Sequence, residues 1–231
     1  MPFLDLVQPE LGAYQSRVQM PADFASFWEA TIAEARSAGG SVRIEPAATT
    51  LKALAAFDVT FPGFGGQPIK GWLVLPASHS GPLPLVVQYV GYGGGRGFPH
   101  EQLHWAASGY AYFRMDTRGQ GSGWSMGGTA DPVGTTPSIP GMMTKGILDR
   151  NDYYYRRVFT DAVRAVDMLA GQDFVDAGRI AVCGGSQGGG IALAVAGIDG
   201  RVKAVMPDVP FLCDYRRAVQ KAARDPYLEI V

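Results

Sequence analysis

Residues 179–190 read Arg179-Ile-Ala-Val-Cys183 and then Gly184-Gly-Ser-Gln-Gly188-Gly-Gly190. The apolar run Ile180–Cys183 has the length and β-branched content of a buried strand. The stretch after Ser186, from Gln187 to Ile198, reads as a helix. Between them stands G-x-S-x-G, the spacing that places a serine on a tight strand-to-helix turn. Such a turn needs neighbours without bulk, and Gly184, Gly185, Gly188 and Gly189 are expected to answer that need. The helix that follows aims its first N–H groups at the serine, where negative charge would develop during attack on a carbonyl. The plainer alternative is a glycine-rich turn that only packs a helix on a sheet. The strand and helix on either side favour the chemical reading, with Ser186 as nucleophile and the Gln187 backbone N–H as one oxyanion donor.

Outward from this turn the chain alternates. Residues 20–38 read as a helix capped by Asp23, with Phe24, Phe27, Trp28 and Ile32 on one face. Ala56–Phe61 and Ile69–Leu75 form a strand pair around Pro62–Gly66. Pro84–Val90 is a continuous apolar run, as a buried strand would be. Phe98–Ala107 is expected to be helical and Tyr110–Met115 a strand. Residues 118–151, rich in Gly, Pro, Ser and Thr, read as a long functional loop. Tyr154–Leu169 is a helix with Val158, Ala162, Ala165, Val166 and Leu169 toward the core, and Val202–Met206 a last strand. This is the pattern of one α/β domain, a mostly parallel sheet with helices on both faces, and with the serine turn it defines the α/β-hydrolase fold. The second oxyanion donor of that fold comes from the loop after an earlier strand. Val90–Gly97 sits there, and the Tyr92 N–H is the candidate. A dinucleotide-binding reading of the same loop fails, because G-x-G-x-x-G from Gly91 would need glycine where Arg96 stands.

Composition narrows the partners. The net charge is -1 across 231 residues, so there is no basic field for nucleic acid or an anionic membrane. No apolar stretch is long enough to span a bilayer, and Met1–Asp5 lacks the features of a signal peptide. Two cysteines, Cys183 and Cys213, make no disulfide framework and point to a reducing compartment. His100-Glu-Gln-Leu-His104 matches H-E-x-x-H. A catalytic zinc needs a third protein ligand. No histidine follows His104, Tyr110 stands where a metzincin has one, and the only glutamate after this motif is Glu229. A surface helix is the reading taken, with no metal and no organic cofactor.

The general base is missing. In this fold the triad order is Ser, then Asp or Glu, then His. His79, His100 and His104 all precede Ser186. Asp199, Asp208, Asp214 and Asp225 follow it, but no base does. The expectation is therefore that the triad Asp and His lie beyond residue 231, in a remainder that is truncated, cleaved or carried on a separate fragment that completes the sheet.

Several segments together resemble carbohydrate esterase family 7, the acetyl xylan esterases and cephalosporin C deacetylases. They are Gly91-Tyr-Gly-Gly-Gly-Arg-Gly-Phe-Pro99, Met115-Asp-Thr-Arg-Gly-Gln-Gly-Ser-Gly-Trp124, Gly184-Gly-Ser-Gln-Gly-Gly189 and Asp208-Val-Pro-Phe-Leu-Cys-Asp-Tyr-Arg216. R-G-Q followed by G-x-S-Q-G is more specific than the serine turn alone. The family's third signature, a His-Glu pair, is absent. The resemblance implies Ser186 as nucleophile, the Tyr92 and Gln187 amides as oxyanion hole, and Arg118 and Gln120 as structural support for the active-site loops. It implies that Trp124 and Pro226 line a small acyl pocket suited to acetyl. It further implies a cytoplasmic, ring-like hexamer whose interface insertion begins near Phe211–Val231, acting on small acetylated sugars or antibiotic esters. A prolyl-oligopeptidase-like peptidase and a catalytically inactive hydrolase-like binding subunit are the alternatives.

Overall fold

The computed structural model describes residues 6–133, 141–222 and 225–231. Seven strands form one sheet: β1 (Arg43–Pro46), β2 (Leu54–Pro62), β3 (Pro68–Pro76), β4 (Leu83–Tyr89), β5 (Ala111–Met115), β6 (Val175–Gly185) and β7 (Val202–Asp208). Their spatial order is β1-β2-β3-β5-β4-β6-β7. The first three pairings in that order are antiparallel and the last three parallel. β2, β4, β5, β6 and β7 consequently all point the same way. Strand order reverses at β4, whose neighbours are β5 and β6, and the crevice above such a switch point is where open α/β sheets bind ligands.

The core follows the two-residue period of the strands. Leu85, Val87 and Tyr89 of β4, with Phe113 and Met115 of β5, face α4 (Tyr154–Ala170) and α5 (Gln187–Ile198). Val86, Tyr112 and Cys183 face the other way and pack with Ala106 of α3 (His104–Ala107). The α4 positions Val158, Ala162, Ala165, Val166 and Leu169 are all buried, as their spacing requires. Outside α4 lies α2 (Phe24–Ser37). Among the described residues no helix is long and apolar enough to cross a membrane.

Four details depart from the sequence reading. The helix expected over 98–107 shrinks to the four residues of α3. Pro99 and the left-handed backbone at Gly97 hold the preceding stretch in turns, so His100 and His104 do not share a helix. Asp23 sits at the α2 N-terminus but makes no side-chain cap; its carboxylate pairs with Arg150, which holds it below the usual carboxylate range. The strand at Arg43–Pro46 and the helices α1 (Gln8–Ala13) and α6 (Tyr215–Lys221) lacked a legible period because each is short. β6 and β7 also run longer than the apolar runs that announced them, and β7 pairs only with β6 among the described residues.

Candidate active site

Ser186 leaves β6 at φ 55° and ψ −118°, a conformation of about 1–3 kcal/mol strain for a residue with a Cβ. The surroundings hold it there. Its N–H donates to the Asp208 carbonyl at the end of β7 (2.9 Å), and its own carbonyl accepts from Gly190 (3.1 Å) and Phe211 (2.9 Å). Sterics decide which glycines the turn needs. A Cβ on Gly188 would lie 2.1 Å from the Tyr89 carbonyl oxygen, one on Gly190 2.0 Å from that of Phe211, and one on Gly184 2.4 Å from Gly188. Gly189 is tight at 3.0 Å, whereas Gly185 has open space. The expectation for Gly185 is thus corrected, and Gly190 was missed. It lies outside the five-residue motif and meets a strand-end loop 21 positions along the chain.

The candidate oxyanion donors are the first amide of α5, at Gln187, and the Tyr92 amide in the loop after β4. Among the described residues neither has a hydrogen-bond partner. Their loops touch: a Cβ on Gly91 would be 3.5 Å from the Gly185 carbonyl oxygen and 3.9 Å from the Ser186 Cβ. Trp124, 63% exposed, lies across this loop. Its Nε1 donates to the Tyr92 carbonyl (2.9 Å), and its ring occupies the space a Cβ on Gly94 would need, 2.3 Å from Cζ2.

The two amide side chains of Gln120 and Gln187 bond reciprocally. Gln120 Nε2 donates to Gln187 Oε1 (2.9 Å), and Gln187 Nε2 donates to Gln120 Oε1 (3.2 Å). Gln120 Oε1 also accepts from Gly93 N–H (2.8 Å), while Gln187 Nε2 donates to the Val90 carbonyl (3.1 Å). Arg118, fully buried, grips Asp161 of α4 through Nε (2.6 Å) and Nη2 (2.7 Å). Its Nη1 reaches Asp131 (3.3 Å), which Arg157 and Lys145 also hold. Burial pushes the Asp161 carboxyl up, and the Arg118 guanidinium opposes that shift. For Asp131 the cations outweigh burial and hold it below the usual range.

Tyr92 is tied at its other end to Glu229. The phenol donates to the Glu229 carboxylate (2.7 Å to Oε1), which also accepts from the Met143 N–H (3.1 Å). Burial and this bond push the Tyr92 phenol up. Glu229 entered the sequence reading only as a poor zinc ligand, and its position 137 residues from Tyr92 left no signal. Pro226, after a cis peptide bond, opens the 3-10 turn Tyr227–Ile230, whose Tyr227 packs on Phe211 (4.5 Å). Phe211 accordingly buttresses the serine turn.

None of the three histidines is placed at Ser186. His79 lies between β3 and β4, and because β4 runs parallel to β6, it sits at the opposite end of the sheet from Ser186. Its Nδ1 contacts the Gly81 carbonyl. His100 stacks on Phe98 and lines a depression with Ala48–Leu51. His104 begins α3, on the face of the sheet away from α5. Of the acidic candidates, Asp208 reaches Ser186 through its backbone carbonyl. Asp199, bonded to Arg201, is at the far end of α5, and Asp214 caps α6 and accepts from Tyr14. Arg96, the residue that broke the dinucleotide pattern, is buried on Asp58, the Gly71 carbonyl and the Trp72 ring. Among the described residues no group of three or more His, Cys, Asp or Glu could hold a metal ion.

A serine on a strained strand-to-helix turn, beside the two candidate amide donors and at the switch point of this sheet, defines an α/β-hydrolase. The chain belongs to the acetyl xylan esterase (AXE1) family, which matches residues 1–231. It is similar to the acetyl xylan esterase from Paenibacillus sp. R4, with a TM-score of 0.90 and 42% identity over 97% of this chain and 71% of that one. It also resembles acetyl xylan esterase 1 from Thermoanaerobacterium sp. JW/SL YS485 (TM-score 0.87, 30% identity, 98% of this chain and 70% of that one). A curated relative, acetyl esterase Axe7A of Xylanibacter ruminicola, is 29% identical over 92% of this chain. The chain spans about half the length of that relative, 52%.

Proposed function

We propose that the protein is a serine esterase that removes acetyl groups from short xylo-oligosaccharides and related small esters, including the acetyl ester of cephalosporin C. The observation that carries this reading is Ser186, held strained at the start of α5 beside the Gln187 and Tyr92 amides, which have no hydrogen-bond partner among the described residues. The family and its acetyl esterase relatives support the substrate class. In the proposed cycle the Ser186 hydroxyl oxygen attacks the ester carbonyl and an imidazole takes its proton. The two amides hold the oxyanion, and the alcohol departs with a returned proton. Water then attacks the acetyl-enzyme, releasing acetate and restoring the hydroxyl.

The imidazole is proposed to come from outside residues 1–231, since His79, His100 and His104 are all placed away from Ser186. It must reach within about 3 Å of the serine oxygen, and the segment bearing it is proposed to join the sheet at β7. The assembly is proposed to be a cytoplasmic homo-oligomer; light scattering on the protein expressed from its complete natural gene tests this, and a monomer would refute it. For the catalytic reading the test is Ser186→Ala in that protein. Hydrolysis of p-nitrophenyl acetate should fall by a factor of about 10⁴ to 10⁶ with folding intact, and near-normal turnover would sink the assignment. Residues 1–231 alone should be inactive, and strong activity would mean that one of the three histidines is the base after all.

A further inference from the structure

We propose that Tyr155 is a positioning residue of the oxyanion hole, acting with Gln120 to set the separation of its two amides. The inference rests on the assignment of Ser186 and the two amides above and extends it to residues that touch no substrate. Gln187 carries one donor on its backbone, and its side chain bonds the Val90 carbonyl, two residues before the other donor at Tyr92. Gln120 bonds the Gly93 N–H, one residue after Tyr92. Tyr92 is therefore bracketed on both sides by bonds that end on a single pair of side chains. That pair is itself oriented from α4. The Tyr155 hydroxyl donates to Gln187 Oε1 (2.9 Å), and the Tyr154 hydroxyl accepts from Gln120 Nε2 (2.9 Å) while donating to the Arg118 carbonyl.

Every donor and acceptor of both amides is used. A side-chain amide has two N–H groups and two oxygen lone pairs, and each of these two glutamines makes four bonds. The main chain dictates which end points where, because Val90 turns its carbonyl to Gln187 and Gly93 its N–H to Gln120. Tyr155 is fully buried and packs edge-on to Tyr154 (5.1 Å between ring centroids). Burial pushes both phenols up, so each stays a donor through the working pH range. Without the Tyr155 hydroxyl, Gln187 Oε1 would keep one donor of two. The pair could then turn, and the Tyr92 and Gln187 amides would no longer be held at one spacing.

The test is Tyr155→Phe in the protein expressed from its complete natural gene. This change keeps the ring and removes only the hydroxyl. With p-nitrophenyl acetate, kcat should fall by about ten- to a hundredfold with KM within about twofold. Affinity for a trifluoromethyl ketone, whose serine adduct places an oxyanion between the amides, should fall by the same factor as kcat/KM. A purely structural role would lower the melting temperature and leave both readouts unchanged per folded molecule. That outcome, or a fall in kcat with no loss of ketone affinity, overturns the proposal. Gln120→Glu, which retains the acceptor to Gly93 but cannot donate to Gln187 or Tyr154, should lose activity in the same pattern; if Tyr155→Phe does not fold, Gln120→Glu and Tyr154→Phe decide. Ser186→Ala in the same assay separates the two levels. If it stays active, the serine assignment fails; if it is dead while Tyr155→Phe and Gln120→Glu keep full kcat and ketone affinity, only the positioning role fails.

Discussion

At Gly188 the start of α5 packs directly against the end of β4, and Gly188→Ala is the sharpest test of how the serine turn is built. The added methyl would stand 2.1 Å from the Tyr89 carbonyl oxygen, 2.7 Å from its carbon and 3.2 Å from the Val90 nitrogen. All three are main-chain atoms in or next to a buried strand, so no side chain can swing aside. Restoring van der Waals contact requires the start of α5 to move away from β4 by about 1 Å. Overpacking of this kind costs about 1–3 kcal/mol of stability. The functional effect should be larger than the stability effect. The same displacement carries the Gln187 amide away from the Tyr92 loop, and an error of about 1 Å in such a site costs about a hundredfold. Gly185→Ala is the control, because a Cβ there meets nothing within 4 Å and Gly185 has no left-handed backbone. The measurement is kcat for p-nitrophenyl acetate, per folded molecule, with urea midpoints for both variants. Gly185→Ala should keep its midpoint, and Gly188→Ala should lose both midpoint and turnover. A Gly188→Ala protein with the parent kcat would refute the claim that this contact sets the oxyanion geometry.

Asp161→Asn should destabilise the protein by about 3–5 kcal/mol, because it leaves the Arg118 guanidinium buried without its bidentate partner; an unchanged urea midpoint would show that the remaining bonds of Arg118 Nη1, to Asp131 and to the Gln67 side-chain carbonyl, suffice. Asp167 is held below the usual carboxylate range, the bonds from Arg36, Arg201 and Arg164 outweighing burial. A depressed folded-state pKa adds stability that is complete above the unfolded value, about 3.9, and is lost as pH falls through the folded value. Asp167→Asn should therefore lower stability at pH 7 and flatten its decline below about pH 4, and parallel stability–pH curves for the two proteins would contradict this. Esters should be hydrolysed in the order acetyl before butyryl, since the Trp124 ring lies against the loop beside Ser186. A kcat/KM that rises with acyl length would refute the small pocket.

The serine turn was legible in the sequence because its constraints are local. A strand, a serine forced to positive φ, and the glycines two and three positions away that the contacts require, Gly184, Gly188 and Gly189, are contiguous in the chain, and backbone sterics act over that range. The helix Tyr154–Ala170 was legible for a similar reason: five apolar positions at helical spacing need only a core to face. The sequence could also show that no histidine follows Ser186, which is a matter of chain order.

What only the tertiary structure decided is how distant segments meet. Gln120 and Gln187 are 67 residues apart, Gln187 and Val90 97, and Tyr92 and Glu229 137. No period or spacing encodes a hydrogen bond that exists only after β4 has been inserted between β5 and β6. Arg118 looked like loop support in the sequence. Its buried partner Asp161 became visible only when α4 was laid across the sheet, since a charge leaves water only where the fold brings a counter-charge to it. The same reasoning separates the two tyrosines from their neighbour. Tyr153, Tyr154 and Tyr155 are identical in the sequence, but the first two residues of α4 turn the hydroxyls of Tyr154 and Tyr155 to the Gln120–Gln187 pair, whereas Tyr153, in extended backbone just before the helix, sends its hydroxyl to the Met143 carbonyl.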